Sequence, residues 1–463
     1  MKLFIESSLR FKLLIVIMVC VLYSCQKPSQ LQEPQISDLS SKAQQNSQKQ
    51  AEESADVPFQ WYKFMTVLQR TVAPQPVVFT QARAYAYIGV GLFEAVQPGI
   101  QSGKSLSNKL YQMPAMPKPD HSKKYLWSAS ANAAMASMVK QFLANLSPSE
   151  KASIDAKELA IYNQLMLTTT DDVMIRSAAF GRSIATAIYN WSTSDNFSIT
   201  SGTYSPLTQP WAWVPTPPNF PKAIGDNLEH SRPFLKYSLD AAAPPIPVVY
   251  SDNPTSAFYM AAKEVHDLGN LLTITPANKA TASWWADAGG VGVGAPAPYH
   301  LLSIVTSVLE SQHSGLWKAA EVYAKTGIAL KDGPIGTFRA KYQYNLLRPI
   351  TYIRRFMDPT WRSYLINPPY PEYPSGLVCF YGTLIQVLIN EFGDIPATDN
   401  VYLWRGLPAR NFSSLSLMRA EAATSRVYAG IHYRFTQNVS IDLGIKLGNE
   451  ISKIKMHGLD DDE

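Results

Sequence analysis

The chain runs to 463 residues, 46% of them hydrophobic, enough to bury a large core. Its net charge of +5 is spread along the length, without a basic block or basic–aromatic interleaving, so nucleic-acid binding is not indicated. The cysteines, Cys20, Cys25 and Cys379, are too few for a disulfide framework.

The first residues read as a targeting segment. Lys2, Arg10 and Lys12 flank the start of a short apolar run over 13–21, which closes on Leu22-Tyr23-Ser24-Cys25. That close is similar to the lipobox of a bacterial lipoprotein: the small Ser24 suits cleavage, and the run is short for a membrane span. The expectation is a signal peptide over 1–25, cleaved to leave lipid on Cys25. The protein would then be membrane-anchored through that lipid, on the periplasmic or cell-surface side. Cys20 would leave with the signal, so no intrachain disulfide is available. Cys379, set in an apolar run, reads as a buried inert thiol. Residues 26–55 are rich in Gln, Ser and Lys with little to bury, which predicts a disordered tether.

From 56 to 463 the patterning predicts a single all-α domain. Apolar residues recur at three- and four-residue spacing over 62–72, 81–96, 126–146, 149–165, 171–191 and 256–268. Further helices are expected over 299–309, 316–330, 336–347, 350–356, 377–392 and 416–428. Ser147-Pro148 and Asp171-Asp172 read as helix starts, and strand-type alternation is nearly absent. Pro-rich connectors at 205–221, 244–254 and 367–374 are too long for tight turns and predict ordered loops laid across helical bundles.

Chemistry concentrates near the C-terminus. Lys341 and Arg348, in Lys341-Tyr-Gln-Tyr-Asn-Leu-Leu-Arg348-Pro349, are two helical turns apart and can point the same way from one helix, which Pro349 ends or bends. Singly, each is a surface charge; among Tyr342, Tyr344, Leu346, Leu347 and Ile350 a solvated face is a poor fit. Pro374-Ser375-Gly376 opens a helix that is apolar nearly all round. Ser375 can cap it, and Gly376 lets an anion approach its free N–H groups, although alone the tripeptide is merely a cap. In Ser425-Arg426-Val-Tyr-Ala-Gly430-Ile-His432, an unbroken helix would set His432 about 120° from Arg426. Gly430 is the break that lets both converge. Three long cations, a helix-opening Ser-Gly and a histidine suit a pocket for a tetrahedral oxyanion.

Together and in this order the motifs resemble the signature shared by vanadium-dependent haloperoxidases and the type 2 phosphatidic acid phosphatase/acid phosphatase superfamily: Lys-x6-Arg-Pro, Pro-Ser-Gly-His, Ser-Arg-x5-His. The strict match covers 341–432, within a motif core of 341–436. A fainter likeness to the soluble, haloperoxidase-like branch runs back through Ala82-Arg83-Ala84, Trp213-Val-Pro-Thr-Pro-Pro218 and Trp285-Ala-Asp287. The resemblance implies an all-α fold of that superfamily's helical-bundle type. It makes Lys341, Arg348 and Arg426 a cationic clamp, with Ser375 and the Gly376 N–H adding hydrogen bonds. His432 would be the axial ligand of vanadium in bound vanadate or, in a phosphatase, the phosphate-accepting nucleophile.

Two positions depart from the pattern. The histidine expected after Pro-Ser-Gly is Leu377, which cannot move a proton, and losing a general acid typically costs about 10²–10⁴ in rate. The carboxylate expected four residues after the last histidine is Thr436, which can accept a hydrogen bond from His432 but cannot stabilise an imidazolium. His300, with His313 behind it, is the candidate substitute for the missing histidine. Three readings remain open: a haloperoxidase with vanadate as cofactor; a phosphohydrolase acting through His432 without a cofactor; and an oxyanion-binding pseudoenzyme. The partners implied are a small oxyanion or phosphoester substrate. Whether the domain pairs as a homodimer stays open.

Overall fold

Residues 52–199, 204–245, 247–287 and 294–458 are described by a computed structural model. Cys25, the signal peptide and most of the expected tether lie outside the described residues. The helices are α1 (Asp56–Leu68), α2 (Val78–Val96), α3 (Trp127–Phe142), α4 (Pro148–Met166), α5 (Asp171–Ser192), α6 (Ser238–Ala241) and α7 (Ala257–Leu268). They continue as α8 (Pro276–Trp284), α9 (Ala297–Ser311), α10 (Leu316–Tyr344), α11 (Pro349–Phe356), α12 (Gly376–Phe392), α13 (Leu415–Tyr428) and α14 (Arg434–Ser452). Two three-residue strands, Ala397–Asp399 and Arg410–Phe412, pair antiparallel. The fold is all-α, as the periodicity implies.

Local signals act where they were read. Ser147 and Glu150 close a reciprocal capping box at the start of α4, satisfying N–H groups that the helix itself leaves unpaired. Along α1, Val57, Trp61, Met65 and Leu68 share the buried face, and Tyr62 stacks on Tyr323 of α10 with ring centroids 3.7 Å apart. Cys379 is buried, and burial pushes its thiol up, in keeping with an inert role. No helix among the described residues is long and apolar enough to cross a membrane.

Two of the differences from the pattern reading have physical causes on view. The stretches expected as separate helices over 316–330 and 336–347 are one helix, α10, which passes through Pro334. An interior proline costs about 3 kcal/mol, but packing on both sides holds the axis: Gly327 lies against Ala86 of α2, and Gly336 against Ala242. Three helices, the four-residue α6 together with α8 and α14, escaped the reading. In α14 the buried face mixes Leu443, Leu447 and Ile451 with Thr436, Gln437, Ser440, Gly444 and Gly448, so its apolar stripe is diluted by small and polar residues.

Glycine in α14 serves close approach. A Cβ on Gly444 would stand 2.6 Å from the Gly382 Cα of α12, so the two backbones touch. A similar crossing joins α2 to α10, where a Cβ on Gly89 would meet the Tyr323 carbonyl oxygen at 2.4 Å. The α12–α14 contact sets the chain just before α14 against the N-terminus of α12.

The Pro-rich connectors are ordered and converge on the junction of α10 and α11. The Trp213 N–H donates to the Asn345 carbonyl at 2.8 Å and the Glu372 N–H to the Leu346 carbonyl at 2.8 Å. Tyr344 and Tyr373 hydroxyls reach the carbonyls of Pro244 and Pro245 at 3.0 and 2.7 Å. Away from this junction, buried Asp195 ties α2 to α10, accepting from Arg83 and Lys331, each at 2.8 Å. The Arg83 of Ala82-Arg83-Ala84 is thereby a structural tie. Replacing Gly444 with Val should destabilise the protein by about 1–3 kcal/mol, the usual cost of overpacking. Thermal unfolding checks this: Gly444→Val should melt well below the parent, and an unchanged midpoint would contradict the close crossing.

Candidate functional site

The site begins at the end of α10. Lys341, fully buried, donates to the carbonyls of Pro371 at 2.9 Å, Glu372 at 3.0 Å, and Pro374. Asn345 adopts the left-handed region (φ 51°, ψ 37°) and stops the helix. Arg348 therefore does not share a helix with Lys341 as expected. It is the N-cap of α11, with Pro349 in the first turn. The two cations still converge, because Arg348 turns inward. Its Nε and Nη2 donate to the Tyr370 carbonyl at 3.1 and 3.0 Å, and its Nη1 to the Ile431 carbonyl at 3.0 Å.

From the other side, α13 supplies Arg426 and the following loop supplies His432. Gly430 takes a positive φ of 76°, the break that the spacing called for. Arg426 is 6% exposed and donates through Nη1 to the Trp285 carbonyl at 2.5 Å. His432 is 3% exposed; its Nε2 lies 3.2 Å from Arg348 Nη1, and its Nδ1 lies 2.7 Å from Glu372 Oε1. A guanidinium can only donate, so Nε2 carries the lone pair and Nδ1 carries the proton. Burial, then Arg348, Lys341 and Arg426, hold the His432 pKa well below its usual value. The imidazole is neutral across the physiological range.

Glu372 is the functional residue that sequence reasoning missed. Its carboxyl accepts from His432 Nδ1, from the Tyr433 N–H at 3.1 Å and from Thr436 Oγ1 at 2.9 Å. Thr436 thus orients Glu372 rather than bonding His432, and a carboxylate does back the histidine from a different place in the chain. Burial pushes the Glu372 carboxyl up to about 7, against the pull of Arg348 and Lys341. The available signal was a lone acid in an otherwise donor-poor proline run immediately before Pro-Ser-Gly.

These groups border a cavity of about 380 Å³. Gly376, Leu377, Arg426 and His432 line it, joined by Asp287, which the sequence reading had quoted only as part of Trp285-Ala-Asp287. Lys341 and Arg348 stand behind this lining, while Ser375 is the N-cap of α12 with its N–H on Ser440 Oγ at 2.9 Å. Ser375 does not cap the helix through its side chain. Its buried Oγ, and the buried Nε of Arg426, have no hydrogen-bond partner among the described residues. Orphaned buried polar atoms require an explanation, and a bound anion at the head of α12 supplies one. Among the described residues no His, Cys, Asp and Glu cluster suits a metal cation, whereas these donors suit an oxyanion.

His300 is not part of the lining. It is fully buried behind Asp287, with Nδ1 2.8 Å from Asp287 Oδ1 and Nε2 2.7 Å from Asp399 Oδ2. Burial alone would lower its pKa, but Asp399 and Asp287 raise it to about 10. His300 is therefore a charged clamp on Asp287 and cannot itself reach the cavity. Tyr381 holds the other Asp287 oxygen at 2.9 Å. His313 is exposed in the turn after α9.

Residues 321–460 match the family model described as the VCPO second helical-bundle domain. The chain is similar to the first bacterial vanadium-dependent iodoperoxidase crystal structure, at 28% identity and a TM-score of 0.78, over 87% of this chain and 97% of that one. It is also similar to a bacterial vanadium-dependent chloroperoxidase in its holo form, at 15% identity and a TM-score of 0.61, over 81% of this chain and 91% of that one. For the apo form the values are 16% and 0.62, over 81% and 93%. At the chloroperoxidase identities the likeness shows the fold alone. No curated protein matches the chain.

Protonated Glu372 leaves the cavity more positive, so anion affinity should be highest below about pH 7 and fall as pH rises through that value. Calorimetry with sulfate, whose charge is constant over this range, should show a several-fold loss. In Glu372→Gln that slope should vanish; an unchanged slope would assign the titration to another group.

Proposed function

We propose that this chain, which belongs to the vanadium haloperoxidase/type 2 phosphatidic acid phosphatase superfamily, is a haloperoxidase-like enzyme that holds vanadate in the cavity faced by His432. The observation that carries the reading is a neutral imidazole with its Nε2 lone pair free of a proton, beside two orphaned donors, Ser375 Oγ and Arg426 Nε. His432 Nε2 would ligate the central atom. Arg426, Ser375 and the Gly376 N–H would bond its oxygens, with Lys341 and Arg348 adding positive potential from behind. Bound vanadate supplies a Lewis-acidic centre at which hydrogen peroxide becomes a two-electron oxidant for halide. Iodide and bromide are favoured over chloride because they give up electrons more readily, and an iodoperoxidase stands among the similar structures.

The chain's own residues then have distinct tasks. Glu372 keeps the His432 proton on Nδ1 and fixes the ring, as outer-shell carboxylates do for ligating histidines. Asp287 is the carboxylate on the cavity wall that can receive or return a proton. Leu377 lines the same wall and can do neither.

That leucine also supports a second reading, an oxyanion binder without turnover, since the position that should carry the acid is apolar. Phosphomonoester hydrolysis through a phosphohistidine at His432 would use the same oxyanion geometry and suffer most from the lost acid.

Purified protein supplied with vanadate, peroxide and iodide should halogenate a dye, and His432→Ala should abolish this. Leu377→His should raise the rate at least tenfold, consistent with the value of a positioned acid, about 10²–10⁴. Tight vanadate binding without halogenation or aryl phosphate hydrolysis would replace this reading with the non-catalytic one. A Leu377→His variant no faster than the parent would show that the leucine is not the limiting defect.

A further inference from the structure

We propose that the protein carries a second small-molecule site, separate from the cavity of His432, which takes a hydroxylated monocarboxylic acid of about sugar-acid size. It stands independently of the haloperoxidase reading. The site is a cavity of about 290 Å³ between α1, α9 and the loop that follows the first strand. None of its lining residues borders the cavity of His432. Along α9, Tyr299, Ser303, Thr306, Ser307 and Glu310 recur at three- and four-residue spacing and line it as one polar row. The neighbouring His300 turns instead to Asp287 and Asp399.

The first ground is an uncompensated cation. Arg70, half-buried just past the end of α1, pairs with no carboxylate among the described residues. Its Nε and Nη2 donate to the Tyr299 hydroxyl at 2.9 and 2.6 Å, and its guanidinium lies 4.6 Å from the centre of the Trp404 ring. Two aromatic side chains thus fix the fork in advance, and Nη1 is left for a guest. Lys63 and Glu310 pair with each other, so the charge of Arg70 is what remains over the whole lining. Trp404 adds a second donor in want of an acceptor: its Nε1 is buried with no hydrogen-bond partner among the described residues. A carboxylate offers the acceptors that both donors lack.

The second ground is a set of acceptors that a bare anion cannot use. Ser307 gives its proton to the Thr398 carbonyl at 3.0 Å, which leaves its lone pairs open. Ser303 reaches Asn400 Oδ1 only at 3.4 Å, a long contact, and Glu310 spends one oxygen on Lys63. These oxygens call for donors, and hydroxyl groups on the guest are donors. Size agrees with this. At about 30 Å³ for each water, the cavity has room for roughly ten water-sized atoms, more than twice what one four-oxygen anion fills. Val67 and Leu403, both exposed, give the cavity an apolar rim against which the C–H face of such an acid can lie.

Calorimetry on the full chain with glucuronate, glucose and acetate tests this without turnover. Glucose has the hydroxyls without the carboxylate, and acetate the reverse, so glucuronate should bind at least tenfold tighter than either. Arg70→Gln should bring glucuronate down to the level of glucose. Trp404→Phe, which keeps a ring under Arg70 and removes the N–H, should weaken glucuronate several-fold. Vanadate binding, measured separately, should be the same in both variants and the parent. Should Arg70→Gln melt early, Trp404→Phe decides by itself. Equal affinities for the three ligands, or glucuronate binding that survives the substitutions, would overturn the second site and leave the oxyanion reading in place. Loss of vanadate binding alone, in the parent, would overturn the oxyanion reading and leave this site standing.

Discussion

The site is organised by one electrostatic constraint: Lys341, Arg348 and Arg426 are buried together around a single histidine. Like charges gathered out of water are costly unless every donor finds an acceptor. The protein meets this mainly with main-chain carbonyls, and the segment that supplies most of them is proline-rich for a physical reason. Proline offers a carbonyl and no N–H, so Pro371 and Pro374 give acceptors to Lys341 without adding donors that need partners of their own. The same segment brings Glu372, the one carboxyl bonded to His432. The connectors that looked like packing between helices are therefore the walls that make the cationic cluster tolerable.

Two buried histidines show how surroundings, rather than burial, decide protonation. His432 lies among three cations and is held neutral. His300, equally removed from water, lies between Asp287 and Asp399 and is held charged. The first accepts from Arg348 at Nε2 and donates from Nδ1 to Glu372; the second has both N–H groups committed to carboxylates. Opposite charge states some distance apart in the chain but close to one cavity give it a polar end with fixed donors and a fixed carboxylate, Asp287. Such preorganisation is what an oxyanion site requires, because the dipoles need not rearrange when the anion arrives.

Much of the cluster was legible in the linear chain. Lys341, Arg348, Arg426, Gly376 and His432 do come together, and the break at Gly430 does turn the chain between Arg426 and His432. Glu372 was not legible, because a carboxylate three residues before Ser375 has no periodic relation to His432, 60 positions away. Thr436 was misread because it stands where the resemblance expects a carboxylate on His432, while its hydroxyl reaches an acceptor on another segment. The helix α14 escaped because Thr436, Gln437, Ser440, Gly444 and Gly448 share its buried face with Leu443, Leu447 and Ile451 and dilute the apolar stripe.

Sequence alone determined the all-α class, the starts of α4 and α5, and the identity of the cationic residues and the histidine that meet. The first two rest on three- and four-residue spacing and on local signals that act within a few turns of one chain segment; the last rests on three motifs, in order, that resemble a known signature. Tertiary structure alone decided that α10 runs unbroken through Pro334, that Lys341 and Arg348 leave from different helices, and that Glu372 and Asp287 join the site. Each of those outcomes depends on contacts between segments far apart in the chain, where packing and the need to satisfy buried charge outweigh local preference.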